Sequence, residues 1–153
     1  MGWKEKHISK AGREVLIKTV AQPILTYSMS MFKFPKKICH DINSVLAKYW
    51  WEPTRNDKKI HWINWGKLCK PKDKGGMGFR DIYAFNLAML SKQAWRLIEG
   101  GHSLFVRVYK ACYFPNCSFM EAELGCNPSF VWWSLLEARE LIRAGITWHV
   151  GDG

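Results

Sequence analysis

Apolar residues recur at helical intervals along most of the chain. Ile38, Ile42, Val45, Leu46, Tyr49 and Trp50 share one stripe at 100° per residue, which predicts a helix opening at Pro35. A first-turn proline is tolerated because its missing N–H would be unpaired there anyway. Lys36, Lys37, His40, Asp41 and Lys48 fall off the stripe and are expected to face water or a partner. Upstream, Ser9 is the expected N-cap of an earlier helix. Ala11, Val15, Leu16 and Thr19 share one arc of that helix; Lys6, Lys10 and Arg13 lie opposite, with Ile17 falling among them. Pro23 lacks a donor and crowds the preceding turn, so a kink or break is expected near Ala21–Gln22. The helix should restart at Pro23 and run to about Phe32.

Polar punctuation divides the rest of the chain. Residues 52–57 end the stripe helix, and Ile60-His61-Trp62-Ile63 is apolar enough for a short strand or extended segment. Asn64 can then cap one turn through Trp65, Leu68 and Cys69. Residues 70–79 form a basic, glycine-containing loop. It matches neither nucleotide-binding glycine pattern, so its glycines are read as a tight turn with positive-φ positions. Asp81 caps a helix to about Glu99 with Ile82, Phe85, Met89, Leu90, Trp95, Leu97 and Ile98 on its apolar face, stopped by Gly100-Gly101. Ser103 caps a shorter helix through Leu104, Val108 and Cys112, ended by Phe114-Pro115-Asn116. Asn127-Pro128 opens the last one, with Val131, Leu135, Leu136, Leu141 and Ile142 as its core side and Gly145 as its C′ residue. Residues 146–150 read as the start of a strand. The fold expected is mainly α: a helical region over 1–52, a basic connection over 53–80 and a second helical region over 81–153.

Charge changes this picture. Residues 1–80 hold 17 Lys and Arg against 6 Asp and Glu, whereas residues 81–153 hold 6 against 7. The whole excess of the +10 chain therefore lies in the first half, which points to a polyanionic partner. No lipid-anchoring feature accompanies it: Lys6 stands where N-myristoylation favours Ser or Thr, and no apolar run approaches the ~18 residues of a membrane span. Nucleic acid is the expected partner, and the membrane is not.

Candidate chemistry is sparse. The five cysteines are odd in number, form no C-x-x-C pair and follow no signal peptide, so a secreted disulfide framework is not expected. Cys112, Cys117 and Cys126 with His102 are a conceivable zinc set, but their spacing fits no common module, and small buried or half-buried thiols are the better reading. His61 has no partnered carboxylate or nucleophile nearby and is read as structural. No triad, carboxylate pair or metal cluster assembles, so no cofactor, metal or catalytic residue is expected.

Several segments taken together resemble one family: SKAGREVLIKTVAQPILTYSMSMFKFPKKI, YWWE, KIHWINWGKLCKPKDKGGMGFRDIYAFNLAMLSKQAWRLI and ARELIRAGITWHVGDG. In this order they are similar to the plant LINE-type (non-LTR) retrotransposon reverse transcriptases. The stretch matched follows the polymerase palm and precedes the zinc-binding-like and RNase H segments; short plant mitochondrial reading frames of this kind also occur. The resemblance implies that the first helices are a thumb, which holds the primer–template duplex, with Lys10, Arg13 and Lys18 on or near its duplex face. It also implies a mitochondrial or nuclear location. The Y-x-D-D aspartates that hold two metal ions in that family have no counterpart here, since no two acidic residues stand adjacent. Polymerase activity is therefore not expected.

The expected role is non-specific binding of duplex nucleic acid through backbone phosphates. Its candidate contacts are Lys6, Lys10, Arg13, Lys18, Lys33, Lys36, Lys37, Lys58, Lys59, Lys72 and Lys74. The alternative is a structural relic, or a protein-interaction module that self-associates or binds a protein through exposed apolar surface.

Overall fold

A computed structural model describes residues 8–51 and 60–146, and Lys6, Lys58, Lys59 and the expected strand beyond Ile146 lie outside them. The protein is mainly α, as its periodicity predicts, with no strand among the described residues. It forms two compact units. The first takes the described residues up to Tyr27 together with Phe34–Phe85, and the second takes Ser28–Lys33 with the described residues from Asn86 onward.

In the first unit Ser9 Oγ accepts the Gly12 N–H at 3.2 Å and opens α1, Lys10–Leu16. The helix continues into a π turn, Ile17–Ala21, and a short α2, Gln22–Ile24. The break expected near Ala21–Gln22 takes this form for a physical reason. Pro23 has no N–H, and its ring would strike a carbonyl one α-turn back; the wider turn, with Gln22 N–H bonded five residues back to Ile17 O, makes room. The α3 helix, Thr26–Met31, follows after Leu25.

Arg13 of α1 and Ile17 of the π turn are buried, while Val15 and Leu16 are exposed. A similar rotation occurs on α4, Lys36–Trp51, which packs against α1. Its buried residues are Cys39, Leu46, Ala47 and Trp50, and three of the stripe residues, Ile38, Val45 and Tyr49, remain exposed. Small Cys39 and Ala47 line the inward seam, so the true seam lies one step round from the apolar stripe. Lys36, Lys37, His40, Asp41 and Lys48 are exposed, as expected.

Ile60–Ile63 forms no strand: it is irregular and exposed, with the His61 ring stacked on Trp51 at 6.2 Å. Asn64 Oδ1 then caps α5, Trp65–Leu68, by accepting the Gly66 N–H at 2.8 Å. A 3-10 turn over Lys72–Lys74 leads to Gly75 and Gly78, both at positive φ (76° and 68°), the backbone region glycine enters without strain. The loop folds back so that Met77 N–H and Phe79 N–H both reach Leu68 O. Phe79 thereby enters the core, stacked on Trp65 at 4.9 Å and edge-on to Trp50 at 5.3 Å.

Asp81 Oδ1 caps α6, Ile82–Glu99, by accepting the N–H groups of Tyr83 and Ala84. In the second unit Ala94 and Leu97 of α6 pack with Val106, Phe114, Phe119, Trp132, Leu135 and Ile142 in one core. Trp95, expected inside, is 40% exposed. Ser103 caps α7, Leu104–Tyr113, but Leu104, Val108 and Cys112 face outward. The buried side is Val106, with Phe105, Tyr109 and Tyr113 packed on the core, because the aromatic row at four-residue spacing has more surface to bury. The last helix, α8, Phe130–Gly145, starts later than Asn127 because Ser129 is its cap, accepting Trp132 N–H at 3.1 Å. Leu141 is 49% exposed, and Gly145 ends the helix as its last residue, without the positive φ of a C′ glycine. Arg139 donates to the carbonyls of Phe119, Met120 and Ala122, pinning the α7–α8 connection onto α8.

Candidate nucleic-acid interface

The candidate cations of the first unit separate into three kinds. Arg13 is buried at 8% exposure, and its Nη1 donates to Trp50 O at 3.4 Å. It ties α1 to the last turn of α4 and is buried, where a phosphate contact would need to be open.

Lys18 is half-buried and held on three sides. Its Nζ donates to Glu14 Oε1 and to Met77 O, each at 2.7 Å, and sits 5.5 Å from the centre of the Phe79 ring. Lys72, from the glycine loop, reaches the same Glu14 oxygen at 3.3 Å while remaining 70% exposed. Two ammoniums thus face one carboxylate at the seam between α1 and the loop. The Lys18 hydrogen bond, more than the lesser one from Lys72, holds the Glu14 carboxyl below its ordinary value, against a smaller upward push from burial. Glu14 was absent from the residues the sequence singled out. The available signal was the Glu-to-Lys spacing of four, which stabilises a helix.

The remaining described candidates of the first unit are exposed. Lys10 lies over the Trp51 ring at 5.3 Å, and Lys36 over the Tyr83 ring at 5.7 Å. Lys37 and Lys74 are exposed. Lys10 marks one end of α4 and Lys36 the other; a 16-residue helix is ~24 Å long. Lys33 belongs to the second unit, paired with Glu137 and lying 5.1 Å from the Trp133 ring centre.

The glycine loop is a turn, not a phosphate cradle. Its N–H groups at Gly75, Gly76, Met77 and Gly78 all bond to carbonyls of residues 68–72. An anion at this seam would therefore be held by side-chain ammoniums.

The cysteines have no pairing or cluster chemistry. All five are free; Cys112, Cys117 and Cys126 are exposed, contrary to the buried or half-buried thiols expected. With His102 they form no group able to hold a metal among the described residues. Burial, reinforced by the Asp81 charge, pushes the Cys69 thiol up to about 11 and raises that of Cys39, so neither is an activated nucleophile. A groove of about 460 Å³ in the second unit is lined by Ala88, Ser91, Lys92, Trp95, Ile142 and the end of α8; Lys92 is the one ionisable side chain among these described residues. No described helix is long and apolar enough to cross a membrane.

No family model and no solved structure matches the chain. Two proteins of Arabidopsis thaliana do. One is named "Putative ribonuclease H protein" and is 32% identical over 157 residues; the match covers 99% of this chain but only 25% of that relative, so the chain spans about a quarter of its length. The other is an uncharacterized mitochondrial protein, 43% identical over 128 residues that make up 83% of each chain. On that identity and coverage, the chain belongs to the same family as this uncharacterized mitochondrial protein of Arabidopsis thaliana.

Proposed function

We propose that the protein is a non-catalytic relative of the thumb and following linker of a LINE-type reverse transcriptase. It binds duplex nucleic acid through backbone phosphates, without base readout. The observation that carries this reading is the concentration of charge in residues 1–80, with Lys10, Lys36, Lys37, Lys72 and Lys74 all exposed on the first unit. The ~24 Å between the ends of α4 corresponds to about seven base-pair steps, so cations at both ends can track a backbone. The resemblance of the ordered segments supports the same reading, as does a relative named for ribonuclease H.

Titration of the purified protein onto a labelled RNA–DNA duplex by fluorescence anisotropy, from low to physiological salt, tests it. Neutralising about five phosphates gives micromolar binding with a log–log salt slope of roughly −4 to −5. A soluble, helical monomer that does not bind removes the reading.

A specific observation favours a second one. Val15, Leu16, Val20 and Ile24 on the α1–α2 run, and Ile38, Val45 and Tyr49 on α4, are exposed. Such surface suits a protein-interaction module or a relic that self-associates. Concentration-dependent mass in sedimentation, with no duplex binding, would select it.

A further inference from the structure

We propose that the seam between α1 and the glycine loop is a phosphate site whose resident occupant is the Glu14 carboxylate, displaced when a nucleic-acid backbone arrives. The inference deepens the nucleic-acid reading and rests on it.

Three observations carry it. First, the seam is under-compensated: Lys18 Nζ at 2.7 Å and Lys72 Nζ at 3.3 Å share a single oxygen of one carboxylate, leaving one positive charge in excess. Second, Lys18 is fixed independently of Glu14. Its bond to Met77 O, from a loop whose own N–H groups are committed internally, holds the ammonium in place whatever anion faces it. The Phe79 ring beneath, 5.5 Å away, favours a cation there by its quadrupole. Third, the pairing is exchangeable. Lys72 is 70% exposed, so its 3.3 Å contact to Glu14 is open to water and to an arriving anion. A phosphodiester offers both lysines the same single negative charge as the carboxylate, spread over two non-bridging oxygens of tetrahedral phosphorus. Glu14 thus keeps the pair paired while the site is empty and lowers its affinity for phosphate by competition.

The test is the same duplex titration with Glu14→Gln, Lys72→Ala and the double variant, each checked for helicity by circular dichroism. Glu14→Gln should tighten binding about two- to fivefold at low salt. Its salt slope should match the wild type's, because Glu14 is displaced in the wild-type complex and both lysines meet phosphate in either protein. Lys72→Ala should cost more affinity in the Glu14→Gln background than in the wild type. If the wild type binds and Glu14→Gln binds no tighter, the site is wrong while the phosphate reading stands. If neither binds, both go. Binding by Glu14→Gln alone would keep the site and overturn the reading for the native chain. Should Glu14→Gln lose its helical signal, Lys72→Ala alone decides: a slope shallower by about one keeps the site, and an unchanged slope removes it.

Discussion

Arg13 Nη1 lies 3.4 Å from the carbonyl oxygen of Trp50, so a guanidinium in the middle of α1 braces the end of α4 from a buried position. Substituting Arg13 with Ala removes both the bond and the packing of its stem. The expected cost is about 1–3 kcal/mol of stability by urea unfolding. The salt slope of duplex binding should not change. A slope shallower by about one would mean that the guanidinium reaches a phosphate, and this assignment would fail.

The exposed lysines behave in the opposite way. Lys10, Lys36, Lys37 and Lys74 stand outside the core, so their replacement by Ala should leave stability within about 0.5 kcal/mol. Each that meets a phosphate should make the salt slope shallower by about one, and equally on two duplexes of unrelated sequence. Sequence-dependent losses would point to base contacts and contradict backbone recognition.

These two groups show what the sequence could and could not reveal. Helix starts were legible at Ser9, Asn64, Asp81 and Ser103 because a cap is local chemistry, settled within three residues. Which face of a helix turns inward depends on its neighbour. Hence Cys39 and Ala47 are buried where Ile38 and Val45 were favoured, and Val106 where Leu104 was. The charge asymmetry located the basic half but could not separate Arg13 from Lys10, since both read as cations on one arc. Glu14 facing Lys18 was readable at four-residue spacing. Its bond to Lys72 exists only because the loop folds back, which no local pattern encodes.

The loop's fold-back makes a sharp demand on Gly76. A Cβ there would lie 1.9 Å from Lys70 O, and because that atom is backbone, the turn itself would have to open. Gly76→Ala should cost about 2–3 kcal/mol in urea unfolding. Gly101, where a Cβ would meet nothing within 4 Å, is the control, and its Ala variant should stay within about 0.5 kcal/mol of wild type. Equal effects at the two positions would refute the tight turn.

Asn86, fully buried, donates its Nδ2 to Met29 O and Phe32 O, both at 2.8 Å. These bonds hold the end of α3 and the residue after it against α6. Asn86→Leu has similar volume but strips both carbonyls of a donor, for an expected loss of about 2–4 kcal/mol. Thermal unfolding followed at 222 nm would read it. A Leu variant as stable as the wild type would show that water satisfies both oxygens.

Glu14 gives a prediction in pH. Its carboxyl titrates below the ordinary 4.5 in the folded protein, chiefly because of the Lys18 hydrogen bond. Above that ordinary value both folded and unfolded chains carry the charge, and the ion pairs contribute fully to stability. As pH falls below 4.5 the unfolded chain takes up a proton first, and the contribution shrinks; once pH passes the depressed folded value it is gone. Glu14→Gln lacks this titration. The gap in thermal midpoint between wild type and Glu14→Gln should therefore be constant from pH ~7 to ~5 and close progressively below 4.5. Taking the difference between the two proteins removes the other carboxylates, including Glu121, whose own pKa is lowered by the Ser118 N–H. A gap as wide at pH ~3 as at pH ~7 would mean that the carboxylate's charge is not what joins α1 to the loop, and the exchange with phosphate proposed for that seam would lose its basis.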